Sequence, residues 1–93
     1  MIRTFRSLAA EQLFARQRVR AFPPELDSVA LRKLRMVHRA MTLQDLRVPP
    51  ANRLEKLSGD RAGQYSIRIN DQWRVCFVWR DGNAYDVDIV DYH

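Results

Sequence analysis

The spacing of apolar residues changes near residue 53 from intervals of three and four to strict alternation, so a helical first half gives way to a β second half. Met1 to Phe5 reads as a short first strand, and Ser7 as the N-cap of a helix from about Leu8 to Arg18 with a thin stripe of Ala10, Leu13 and Phe14. Pro23-Pro24 ends that element, because proline lacks an N–H and pushes the preceding residue out of the α region. From about Glu25 to Met41, Ala30, Leu34, Val37 and Met41 form one stripe, and Arg32, Lys33, Arg35 and Arg39 fall mostly on a basic outer surface. A helical turn at Leu43 to Leu46 and an extended Val48-Pro49-Pro50 connector follow.

From about Arg53 the chain reads as β. Residues 58–63 have the make-up of a hairpin loop, Asp71-Gln72 and Asp81-Gly82-Asn83 mark two further reversals, and strands are expected at about 64–70, 72–80 and 84–91. The expected fold is a single α+β domain over residues 1–93: two N-terminal helices packed on one face of a mainly antiparallel twisted sheet, with the other face concave and open. Strand order is left undetermined.

The formal charge of +5 and pI near 10.1 point to an anionic partner. Residues 1–47 carry ten Lys/Arg against four Asp/Glu, and residues 48–93 six against seven, which makes the first half the electrostatic arm. Fourteen of the sixteen cations are arginine, which suits forked phosphate contacts; a compositional bias of the source genome gives the same count. A single cysteine, Cys76, excludes an internal disulfide, and with no secretory signal pattern the expected location is the cytoplasm. Apolar runs are too short to span a membrane. His38 and His93 lack partners at metal-ligand spacing, so a structural or catalytic metal is not expected.

The strand at 72–80 has Trp73, Val75, Phe77 and Trp79 on one face and Arg74, Cys76, Val78 and Arg80 on the other, the pattern of a central strand. Arg74 then needs an anion on a crowded surface, either a substrate phosphate or an internal carboxylate such as Asp88 or Asp91. On the last strand, alternation puts Tyr85, Val87, Ile89, Asp91 and His93 on one side and Asp86, Asp88, Val90 and Tyr92 on the other. Asp-Tyr-His at a chain end reads either as a frayed polar tail or as proton-moving groups, and the terminal carboxylate beside His93 favours its imidazolium. Trp73 and Trp79 read as core residues, Cys76 as a buried hydrophobe, and His38 as a solvated surface residue. The Arg32, Lys33, Arg35 and Arg39 cluster suits either solvent or RNA phosphates.

Met1-Ile2-Arg3-Thr4-Phe5, Arg53-Leu54-Glu55, Gly59-Asp60-Arg61, Ser66-Ile67-Arg68-Ile69, Trp73-Arg74 and Asp91-Tyr92-His93 together resemble the HigB branch of the RelE toxin superfamily over nearly the whole chain. That resemblance implies a RelE-like fold and a ribosome-dependent endoribonuclease that cuts mRNA in the ribosomal A site with no metal or organic cofactor. It also implies a helix-turn-helix antitoxin of the HigA type, through which alone the toxin meets operator DNA. With RNA as substrate the 2′-hydroxyl is the nucleophile, so the protein must align it, move two protons and neutralise the phosphate. Arg74 is assigned the phosphate, with Arg61 or Arg68 as helpers; His93 is the general acid, Tyr92 a phosphate or base contact, and Asp91 the orienter of His93 or the base. Arg53, Lys56, Arg61 and Arg68 are the RNA-binding candidates. Some members of the family carry a catalytic histidine and lysine before the first hairpin; here Glu55 and Ser58 stand in those places. Glu55 thus reads either as a substitute general base or as a surface glutamate beside Lys56, and a toxin of mild activity, or one whose base differs from that of its relatives, is expected. Two alternatives stand beside the endonuclease: a catalytically weak binder that blocks the ribosome sterically, and a protein that serves chiefly as co-repressor with its antitoxin.

Overall fold

The computed structural model describes residues 1–91. The helix α1 (Leu8–Phe14) begins as expected at Ser7, whose Oγ accepts from the Ala10 N–H at 3.1 Å and donates to Asp88 Oδ1 at 2.7 Å. It stops four residues earlier than the apolar pattern suggested. Arg16 turns left-handed at φ 65°, and the Arg16 and Gln17 N–H groups bond back to the Leu13 and Gln12 carbonyls at 2.9 Å each, closing the helix end in a Schellman motif.

A short 3₁₀ turn at Pro24–Leu26 leads into α2 (Asp27–Arg39), which ends where Ala40 becomes extended. Met41 therefore leaves the apolar stripe and is 79% exposed. Lys33 departs from the expected basic outer surface: it is buried, and its Nζ donates to Asn52 Oδ1 at 2.6 Å. His38 is half-buried rather than solvated; its Nδ1 accepts from the Ile2 N–H at 3.1 Å and its ring lies 5.3 Å from that of Phe14.

A second 3₁₀ turn, Leu43–Arg47, is capped by Thr42 and Asp45. The Asp45 carboxylate accepts from the Met41 and Thr42 N–H groups, and these bonds hold its pKa below the ordinary 3.8. The proline connector is not simply extended: Val48–Pro49 is cis and Pro50–Asn52 forms a third 3₁₀ turn.

The described residues of the second half form a four-stranded antiparallel meander of β1 (Glu55–Lys56), β2 (Gln64–Arg68), β3 (Trp73–Arg80) and β4 (Asn83–Asp91), in the order β1-β2-β3-β4. Residues 1–6 add parallel bridges to the outer edge of β4, at Ile2 with Ala84 and Phe5 with Val87, in place of a full first strand. Ile67, Val75, Phe77, Val87 and Ile89 meet Ala10, Leu13, Ala30, Leu34 and Val37 in one core, with Trp73 and Trp79 packed against it.

Straight alternation fails at one point on β4. Asp86 adopts φ 52° and the register with β3 shifts between Cys76 and Val78, so a bulge sends Ala84 and Val87 both to the core. Tyr85 accordingly pairs with Val78 on the other side, not with Val87 as expected, and the Arg80 guanidinium lies 4.2 Å from its ring centroid. That second face is not bare: Ser66, Arg74 and Cys76 are buried on it, and burial raises the Cys76 thiol above its ordinary pKa.

Candidate functional site

Strand register decides which arginines meet. Arg74 on central β3 is paired directly with Arg68 of β2 on one side and Val90 of β4 on the other. Like charges directly opposite repel. Each guanidinium here has a carboxylate of its own, Asp71 for Arg68 and Glu55 for Arg74, the latter with 3.8 Å between Nη2 and Oε2. The internal ion pair of Arg74 among the described residues is thus with Glu55, and not with Asp88 or Asp91. Asp88 is engaged by Ser7, and Asp91 accepts from Gln72 Nε2 at 3.1 Å.

Arg74 is only 7% exposed, and its plane is set by neutral acceptors as much as by charge. Nε donates to Ser66 Oγ at 2.8 Å, and Nη2 donates to the Arg53 carbonyl at 2.6 Å. Ser66 is fully buried, opposite Glu55 on β1 and Cys76 on β3. Arg53 presents its carbonyl because it sits in the left-handed region at φ 46°, ψ 58°, just past the Pro50–Asn52 turn. A cleft of about 450 Å³ opens over this arrangement, lined by Ala51, Arg53, Glu55, Arg68, Asn70, Asp71 and Arg74. Among the described residues three guanidiniums and two carboxylates line it, and the Glu55 carboxylate stands at its wall beside the anchored cation.

Four sequence-predicted residues therefore come together: Arg53, Glu55, Arg68 and Arg74. Three others do not line the cleft. Lys56 follows Glu55 and so points to the other side of β1, lining a groove with Leu43, Gln44, Arg47, Leu54 and Tyr65. Arg61 lies in the 3₁₀ turn Gly59–Arg61, where it donates to Gln64 Oε1 at 3.2 Å. Asp91 pairs with Trp73 and so shares the helix-bearing face of the sheet, opposite the Arg74 face. The assignments to Tyr92 and His93 lie outside the described residues.

Sequence reasoning did not single out Ser66, Asn70, Asp71 or the Arg53 carbonyl. A serine two residues before Arg68 in an alternating strand was the available signal, since parity puts both on one face; its contact with Arg74 needed the register. Among the described residues no group of three or more His, Cys, Asp or Glu is arranged to hold a metal ion, and no helix is long and apolar enough to cross a membrane.

Comparison with known proteins agrees with this architecture. Two structures of the YoeB–YefM toxin–antitoxin complex from Staphylococcus aureus share the fold, with TM-scores of 0.61 and 0.56 at 20% identity, covering 100% of this chain and 98% of the matched chain in each case. Toxin HigB-1 of Vibrio cholerae is 43% identical over 68 residues, spanning 73% of this chain and 72% of the relative. Endoribonuclease HigB of Proteus vulgaris is 42% identical over 41 residues, or 44% of this chain and 45% of that one. The profile of the HigB-like family, RelE-like toxins of type II toxin–antitoxin systems, matches residues 3–93, and the chain belongs to that family.

Proposed function

We propose that this type II toxin is a ribosome-dependent mRNA endoribonuclease that works in the cytoplasm and uses the Arg53–Glu55–Arg68–Arg74 cleft. The observation that carries the reading is the anchored Arg74 guanidinium, buried, oriented by Ser66 and the Arg53 carbonyl, and 3.8 Å from a carboxylate that can accept a proton. An Arg held this way braces non-bridging phosphate oxygens without reorganising during reaction. Glu55 removes the 2′-hydroxyl proton, that oxygen attacks the adjacent phosphorus, and the 5′-oxygen leaves with a proton. The products are a 2′,3′-cyclic phosphate and a 5′-hydroxyl. Arg68 and Arg53 hold flanking phosphates, and the sequence assigns the departing proton to His93, with Tyr92 as a phosphate or base contact; Asp91, on the other face of the sheet, takes no part in this scheme. No metal or cofactor is required by this scheme. Support also comes from the P. vulgaris relative, named as an endoribonuclease, and from the S. aureus fold neighbours, whose structures are complexes with an antitoxin. The partner proposed here is a HigA-type helix-turn-helix antitoxin, through which the toxin reaches operator DNA.

The test is to map mRNA 5′-hydroxyl ends in translating cells expressing wild type, Arg74→Ala, Glu55→Gln or a chain truncated after Tyr92. New ends with wild type and a loss of about 100-fold or more with Arg74→Ala are expected, with antitoxin binding retained. Growth inhibition by Arg74→Ala at wild-type strength, without new ends, would instead establish a steric inhibitor.

A further inference from the structure

Behind the cleft lies a buried polar connection that the proposed chemistry does not itself use. Lys33 of α2 is 5% exposed, and among the described residues no carboxylate lies within ion-pair distance of it. Burial, then the neighbouring Arg32 and Arg68 cations, depress its pKa below the ordinary value. A site that needed only packing would hold an apolar side chain of the same length, because a buried ammonium beside other cations weakens the fold. What the amine supplies is a donor. It donates to Oδ1 of the fully buried Asn52, whose Nδ2 donates in turn to the Leu46 and Val48 carbonyls at 3.2 and 3.4 Å. With both ends of the amide engaged, Asn52 has one orientation and closes the loop from residue 46 to residue 52. The next residue is Arg53, in its left-handed conformation, with its carbonyl on Arg74 Nη2.

We infer that Lys33 and Asn52 are positioning residues for this toxin's reaction. They hold the loop that aims the Arg53 carbonyl, and the carbonyl with Ser66 fixes the plane in which Arg74 meets the scissile phosphate. The inference rests on the endonuclease reading of the cleft. It places part of the catalytic geometry on a helix whose cations otherwise read as a solvated surface.

Lys33→Met removes the donor and keeps the chain length, whereas Lys33→Gln keeps an N–H donor without the charge. Each is compared with wild type and Arg74→Ala in a reconstituted translation mixture, by single-turnover mRNA cleavage, by affinity for an mRNA carrying a 2′-deoxy sugar at the cleaved position, and by Tm. Lys33→Met is expected to melt at or above the wild-type temperature and to bind the deoxy mRNA within about threefold of wild type. Its cleavage should be about tenfold to 100-fold slower, as misplacing a reacting group by about 1 Å would cause, and Lys33→Gln should recover most of the rate. Cleavage by Lys33→Met at the wild-type rate, or a loss that follows Tm and is not restored by Lys33→Gln, overturns the inference. If Lys33→Met does not fold, Asn52→Asp carries the test: it keeps an acceptor for Lys33, lacks the donors to the two carbonyls, and its folded form must show the same loss of rate. An inactive Arg74→Ala beside a fully active Lys33→Met refutes the positioning role alone; an active Arg74→Ala refutes the site itself and the inference with it.

Discussion

At the scale of single residues, the site depends on backbone placement as much as on side-chain identity. Arg53 lines the cleft with its guanidinium and supports Arg74 with its carbonyl. Glycine separates the two roles, since it adopts positive φ freely and has no side chain. Arg53→Gly should preserve the carbonyl contact and weaken mRNA binding, leaving the cleavage step within about threefold of wild type. A β-branched substitution such as Arg53→Val should also strain the left-handed backbone, at about 1–2 kcal/mol, and lower the cleavage rate; paired binding and single-turnover measurements distinguish the two. Arg74 was legible from residue type and alternation, which marked it as a charge needing an anion; Glu55 was singled out only by the family resemblance, and its residue type beside Lys56 read as a surface glutamate. The bond from Arg74 to Ser66 was not legible, because parity gives faces and says nothing of register.

Elements were read correctly where periodicity is long and their ends were misread where capping decides. The strands at 64–68, 73–80 and 83–91 match the alternating runs closely. Helix α1 stops early through a Schellman turn formed around Arg16, with no glycine to announce it. The same limit applies at α2, where Met41 keeps the helical interval but the chain has already become extended at Ala40. The Thr42–Asp45 cap gives a measurable consequence. Asp45 titrates below its ordinary 3.8 in the folded chain, so its stabilising effect is fully present above that pH and is lost as pH falls through the folded-state value. Thermal melts between about pH 6 and pH 2 should show a steeper acid-side decline for wild type than for Asp45→Asn, with the two curves converging at the acid end.

Over the whole molecule, the core and the cleft occupy opposite faces of one sheet, so stability and chemistry can be perturbed separately. His38 lies on the core side, joining the N-terminal segment through Ile2 to α2 and, through its ring, to Phe14 of α1. His38→Ala leaves the Ile2 N–H without its acceptor and opens space beside Phe14, which should cost about 1–3 kcal/mol in denaturant unfolding. Cleavage by the folded variant should stay within about twofold of wild type. The α+β class and the single sheet were legible because the change of apolar period is long-range and unambiguous. The attachment of residues 1–6 to the far edge of β4 was not, because nothing local in a short apolar segment specifies its partner.

The bulge at Asp86 has a further consequence for how this chain tolerates change in length. Because that one residue resets the alternation, residues 87–91 sit on sides of the sheet that an unbroken count from Ala84 would reverse. Deleting Asp86 alone would leave an unbroken alternation that keeps Val87 and Ile89 on the core side and Asp88 on the other, whereas removing two residues there would turn Val87 and Ile89 outward. Relatives of this toxin that lack the one residue at this point of β4 should therefore keep the same core, with a regular ladder in place of the bulge.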